Sequence, residues 1–182
     1  MRSIGREGRK GRNTATKIMT LKQLIERQIE FNEWANRRYV EWLSALPGEV
    51  LTREFESSFP TIIATVKHIL EAQAFWSSVL TGSGGFERMG GDLTAEQIFD
   101  ELVENSRLLV EYCHSATEED LTKTVKIDNQ WIKCGFEKAE YVQQFVAHAA
   151  YHRGQIVTMT RAFGISGAPS ADFIVFLLSS GV

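Results

Sequence analysis

Apolar side chains recur at steps of three and four residues in four long stretches of this chain, the period of one face of an α-helix. In the first, Leu21, Leu24, Gln28, Phe31, Ala35, Tyr39, Trp42 and Leu46 share a stripe. This predicts a helix over residues 20–46, capped by Thr20 and stopped by Pro47 and Gly48. In the second, Ile62, Val66, Ile69, Gln73, Trp76 and Leu80 predict a helix over residues 60–80, with Ser57 and Ser58 before it and Pro60 in its first turn, where a missing N–H costs nothing. Residues 82–91 are too rich in glycine to continue it and read as a loop. Thr94 and Gln97 have the spacing of a capping box, each side chain serving the other's backbone N–H. They open a third helix, to about residue 115, with Ile98, Leu102, Asn105, Leu109 and Tyr112 on one side.

The period then shortens. Residues 124–127 and 131–134 alternate around Asp128, Asn129 and Gln130, which predicts a small β-hairpin. A fourth long helix follows over residues 138–163, ended by Gly164, and a short terminal helix begins near Ser170, after Pro169. The predicted architecture is all-α: a four-helix bundle with a small hairpin between helices three and four and a short C-terminal helix.

Length supports a single domain, since 182 residues with 43% hydrophobic content can bury one proper core. No run approaches the roughly 20 apolar residues of a membrane span, so a soluble protein is expected. Charge divides the chain. Arg2, Arg6, Arg9, Lys10, Arg12 and Lys17 face Glu7 alone in residues 1–18, so the remainder is more acidic than the overall net charge of −3. We expect residues 1–18 to be a disordered basic tail and residues 19–182 to be the folded domain. An acidic folded part has no electrostatic reason to bind phosphate backbones, which argues against a nucleic-acid partner. Cys113 and Cys134 are neither closely spaced nor accompanied by a secretory signal, and read as reduced thiols of a cytoplasmic protein.

The histidines carry the candidate chemistry. His148 and His152 lie one helical turn apart, a spacing that lets two imidazoles converge on one ion, and the stripe of Tyr141, Phe145, Ile156, Met159 and Phe163 turns both inward. The competing reading is a pair of hydrogen-bonded or solvated histidines. Ala149 stands where a zinc protease motif has its glutamate, which disfavours that chemistry. His68, beside the main stripe of the second helix, could complete a site from a facing helix or simply sit at the core edge. His114 closes the third helix, where a cationic ring suits the dipole, and is left out.

Several stretches in order carry a family resemblance: FNEWAN at residues 31–36, LSALP at 43–47, SSF at 57–59, TVKHI at 65–69, FW at 75–76, YHRGQ at 151–155 and DFI at 172–174. From about Met19 to the end the chain resembles the DinB-like (DinB/YfiT) superfamily. That resemblance implies a four-helix bundle, a homodimer, and a divalent metal held by His68, His148 and His152. Three neutral ligands leave the ion its charge and an open position, the catalytic pattern. Relatives include thiol-dependent S-transferases and an isomerase. The resemblance therefore implies a transferase or hydrolase that activates a low-molecular-weight thiol or water against a small-molecule substrate, or else a non-catalytic metal-binding stress-response protein. Imidazole ligands suit zinc, nickel, iron and copper alike. Glu71, one turn from His68, is the candidate proton acceptor or a solvated carboxylate. Tyr151, beside His152, is a candidate for the open position or a packing residue. Arg153, Gln155 and Asp172 match family positions and have structural readings too, and Trp34 and Trp76 read as packing.

Overall fold

The computed structural model describes residues 18–83 and 93–181. The expected disordered tail and most of the expected glycine-rich loop therefore lie outside the described residues. The elements are α1 (Leu21–Ser44), α2 (Gly48–Leu51), α3 (Ile62–Thr81), α4 (Ala95–Ser115), α5 (Glu118–Leu121), β1 (Thr124–Asp128), β2 (Lys133–Glu137), α6 (Lys138–Ala162) and α7 (Phe173–Ser179). The four long helices form the bundle. α1 packs on α4 and α6, and α3 packs on the same two, which places α1 and α3 on one diagonal.

Local chemistry sets the helix ends. Thr94 with Gln97 forms the predicted capping box, and Thr20, expected as a cap, forms a full capping box with Gln23. α6 closes on Gly164 at φ 80°. The Gly164 N–H donates to the Arg161 carbonyl and the Ile165 N–H to the Thr160 carbonyl, at 3.0 and 2.8 Å, which satisfies two carbonyls of the last turn. α3 starts two residues later than predicted. The Thr61 hydroxyl accepts from the Ala64 N–H at 3.1 Å, so Thr61 is the cap, and Pro60 stays outside with its carbonyl accepting from the Phe55 N–H. α1 ends at Ser44 rather than at 46, and Pro47 opens α2 instead of merely stopping α1. The predicted hairpin forms, but its second strand is displaced. Asp128 pairs with Lys133, and Trp131 and Ile132 belong to the turn. The cause is Asn129, whose Oδ1 accepts from the backbone N–H groups of Trp131 and Ile132, both at 2.9 Å, and so diverts the chain into a tight turn. α5, absent from the expectation, is a single turn capped by Thr117, with acidic residues at its positive end. α7 begins at Phe173, three residues beyond the expected start.

The core has two apolar clusters. One joins Ile25, Ile29, Leu80, Leu109, Val142 and Phe145 with Ile127 of the hairpin. The other joins Leu43, Ile62, Leu70, Leu102, Ile156 and Met159. Burying each such side chain contributes roughly 1.5–3 kcal/mol. Between the clusters lies a buried polar layer of Asn32, Asn36, Gln73, Ser106 and Arg153. Gln73 Oε1 accepts from Asn32 and Asn36 at 2.9 and 3.2 Å, and its Nε2 donates to Asn105 and Ser106 at 2.9 and 3.0 Å. Arg153 donates through Nη1 to the side-chain oxygens of Asn32 and Asn36. Every long helix contributes to this layer.

A second brace ties α5 and α6 to α4. Lys138 Nζ donates to both Asp120 oxygens, at 3.0 Å each, and to the Tyr112 hydroxyl at 2.8 Å. The Lys138 hydrogen bond holds the Asp120 carboxyl below its usual range. A folded-state pKa below the unfolded one contributes stability at neutral pH, lost as pH falls through the folded value. Asp120→Asn is therefore expected to cost about 1 kcal/mol at neutral pH. The difference from wild type should close in acid, as urea titrations at a series of pH values would show.

Both cysteines are free. Cys113 is buried in α4, where burial pushes its thiol up to about 12, and Cys134 is half-buried in β2. No helix among the described residues is long and apolar enough to cross a membrane.

Candidate metal centre

α3 and α6 are neighbours in the bundle, and the three histidines meet in the seam between them. His68 comes from α3, and His148 and His152 come from successive turns of α6. The ring centroids lie 5.0 Å (His68–His148), 4.6 Å (His68–His152) and 4.4 Å (His148–His152) apart. One ring nitrogen from each falls within 4.8 Å of the others, and His68 Nε2 stands 2.9 Å from His148 Nε2. Nitrogen ligands at 2.0–2.1 Å from a tetrahedral ion lie about 3.3 Å from one another, so this spacing suits a single cation.

The surroundings of His148 favour its neutral, metal-binding form. Burial, and then the neighbouring His152, push the His148 pKa below its ordinary value. His152 is 4% exposed, and its Nδ1 donates to Gln155 Oε1 at 2.6 Å. That bond places the proton on Nδ1 and leaves Nε2 as the ligand atom. Gln155 is steadied in turn, its Nε2 donating to the Ser58 hydroxyl at 3.3 Å and the Tyr151 hydroxyl at 3.2 Å. Phe59 stacks on His68 with centroids 4.1 Å apart and meets His152 edge-on at 5.6 Å, restraining both rings. Three imidazole nitrogen donors with no carboxylate among them fit a divalent ion. Gln155→Ala is expected to weaken metal binding about 10- to 100-fold with helix content unchanged. Competition against a chelating dye measures this.

A cavity of about 380 Å³ opens beside His68. Its walls are Glu71, Ala72, Phe75 and Trp76 of α3 and Asn129, Trp131 and Ile132 of the hairpin turn. Glu71 thus shares the cavity with His68. Tyr151 is 61% exposed, its ring 5.0 Å from that of His152 and its hydroxyl accepting from Gln155. Arg153 belongs to the buried polar layer. Asp172 stands at the N-cap position of α7 without a side-chain capping bond, and its carboxylate accepts from the Ser170 hydroxyl. Trp34 packs on Phe31 and Phe176, and Trp76 is buried and stacked on Tyr141 at 5.2 Å. His114 lies outside the cluster, exposed and 2.8 Å from Glu30. Phe59 and the hairpin-turn residues were not foreseen as part of the site. The role of Gln155 was available in principle, because three residues separate it from His152 on one helix face.

The model of the DinB family matches residues 19–177 of the chain. Protein DinB of Bacillus subtilis (strain 168) is 29% identical over 161 residues, an alignment covering 81% of this chain and 90% of that protein. Among solved structures, a DinB-like protein from Bacillus cereus ATCC 10987 superposes with a TM-score of 0.65 at 18% identity. That superposition covers 80% of this chain and 94% of the other, a likeness of fold.

Proposed function

The chain belongs to the DinB family, and from that premise we propose that it is a metal-dependent enzyme of the thiol S-transferase or hydrolase type, acting on a small molecule. The observation that carries the reading is the convergence of His68, His148 and His152 from two helices, with a cavity large enough for a small ligand against His68. When bound there, a divalent ion such as zinc, nickel or iron supplies Lewis acidity, which acidifies a thiol or water and polarises a carbonyl.

The chain's own residues do the rest. His68, His148 and His152 hold the ion, Gln155 fixes the tautomer of His152, and Phe59 keeps His68 in place. Glu71, on the cavity wall one turn from His68, is assigned as the proton acceptor for an incoming low-molecular-weight thiol or water. Tyr151 is assigned a supporting role through its hydroxyl, which shares Gln155 with His152. The same reading takes the protein as a cytoplasmic homodimer, with residues 19–182 as one helical domain and residues 1–18 as a basic tail outside it. The family match over residues 19–177 supports the inner boundary.

The test is turnover of an electrophile by the metal-loaded protein with and without added thiol. Turnover that requires metal and falls to the uncatalysed rate in His148→Ala supports the enzyme. Metal that raises the melting temperature while a panel of electrophiles, esters and amides stays intact supports instead the non-catalytic, stress-response reading.

A further inference from the structure

We propose that the cavity beside His68 seats an uncharged aromatic ring of the substrate, with Trp131 of the hairpin turn as its outer wall. The proposal rests on the metal reading above and assigns the chemical class of substrate to that site.

The first argument is the lining. Phe75 and Trp76 of α3 and Trp131 and Ile132 of the hairpin turn all line it. A volume of about 380 Å³ falls in the range of small-molecule sites, roughly 300–1,000 Å³, which are mostly apolar with few polar groups. Ala72 lines the same cavity, and a larger side chain there would take up part of its volume. Flat rings favour offset or edge-on contact with such aromatic walls.

Charge narrows the class. Among the described residues no lysine or arginine lines the cavity, and Glu71 does. Away from the ion, a carboxylate or phosphate carried on the ring itself would meet no cationic side chain among these residues and would share the cavity with the Glu71 carboxyl, so the seated ring is an uncharged one.

The hairpin turn supplies the third argument. Trp131 is 75% exposed, yet its backbone is pinned by Asn129 Oδ1. The turn holds a large apolar side chain at the cavity mouth instead of in the core, and a ring bound between it and α3 would cover surface otherwise left to water.

The test compares two metal-binding probes on the zinc-loaded full chain by isothermal titration calorimetry: acetohydroxamate, which reaches only the ion, and benzohydroxamate, which adds a phenyl ring. Benzohydroxamate is expected to bind at least about tenfold more tightly. Trp131→Ala, a change at an exposed turn, and Ala72→Leu, which fills the seat, should each cut most of that advantage while leaving acetohydroxamate affinity unchanged. An advantage that persists in both variants, or is missing in the wild type, overturns the proposal. Failure of both probes to bind would overturn the metal reading instead. The seat is then judged on the metal-free protein with 2-naphthol: shifts of the Trp131 and Trp76 indole N–H resonances sustain it, and unmoved resonances reject it.

Discussion

His68→Ala is expected to give a protein with unchanged helix content and no bound metal, and the wild type purified without added metal or chelator is expected to hold one equivalent. His68 is the member of the histidine cluster that α3 contributes, and the two histidines left on α6 would not enclose an ion between helices. Changing a group that merely orients a ligand costs about 10- to 100-fold in affinity, so loss of the ligand itself should exceed about 100-fold. Folding should survive, because His68 is half-buried at the seam and outside both the polar layer and the apolar clusters. Metal that binds only the folded state stabilises it by about 2.7 kcal/mol at a hundred times its dissociation constant. A chelator should therefore lower the wild-type melting temperature and leave the variant's where it was. Elemental analysis with a thermal melt decides the matter, and a full equivalent of metal in His68→Ala would remove the triad from consideration.

Gln73→Leu should have the largest effect on stability, a loss of about 2–4 kcal/mol. Gln73 is 2% exposed and bonded to Asn32, Asn36, Asn105 and Ser106 at once. Leucine has nearly the same volume and gains some apolar burial, but it makes none of these bonds. Ser106 keeps its bond to the Leu102 carbonyl and its bond from Asn36. The Asn32 amide and the Asn105 oxygen lose the partner that Gln73 supplied. Each stranded buried group costs about 1–3 kcal/mol, which exceeds the apolar gain. For a chain of this size the melting temperature should drop by about 5–15 °C. The urea midpoint should fall with its slope unchanged. A change within about 0.5 kcal/mol would mean the polar layer contributes nothing net.

Features that depend on neighbours within a turn or two were legible before any coordinates. The cap at Thr20, the capping box at Thr94, the end of α6 at Gly164 and the shared face of His148 and His152 are of this kind. The displaced second strand shows how that reading fails: alternation alone put Trp131 in a strand, while the Asn129 side chain, bonding two residues ahead, put it in the turn. Thr61 took the start of α3 from Pro60 for a similar reason, because a hydroxyl that satisfies a free N–H outweighs a proline that only tolerates the position.

The amino-acid order by itself determined the four amphipathic helices, most of their ends and two-thirds of the histidine cluster, because hydrogen bonds and side-chain spacing along one helix are local. Tertiary structure alone decided that His68 Nε2 lies 2.9 Å from His148 Nε2, that Gln73 and Arg153 bridge the bundle, and that Trp131 lines one cavity with residues of α3. Those encounters follow from which helices become neighbours and at what height they meet. The balance of buried apolar surface and satisfied polar groups over the whole core sets both, and no short window of residues contains that sum.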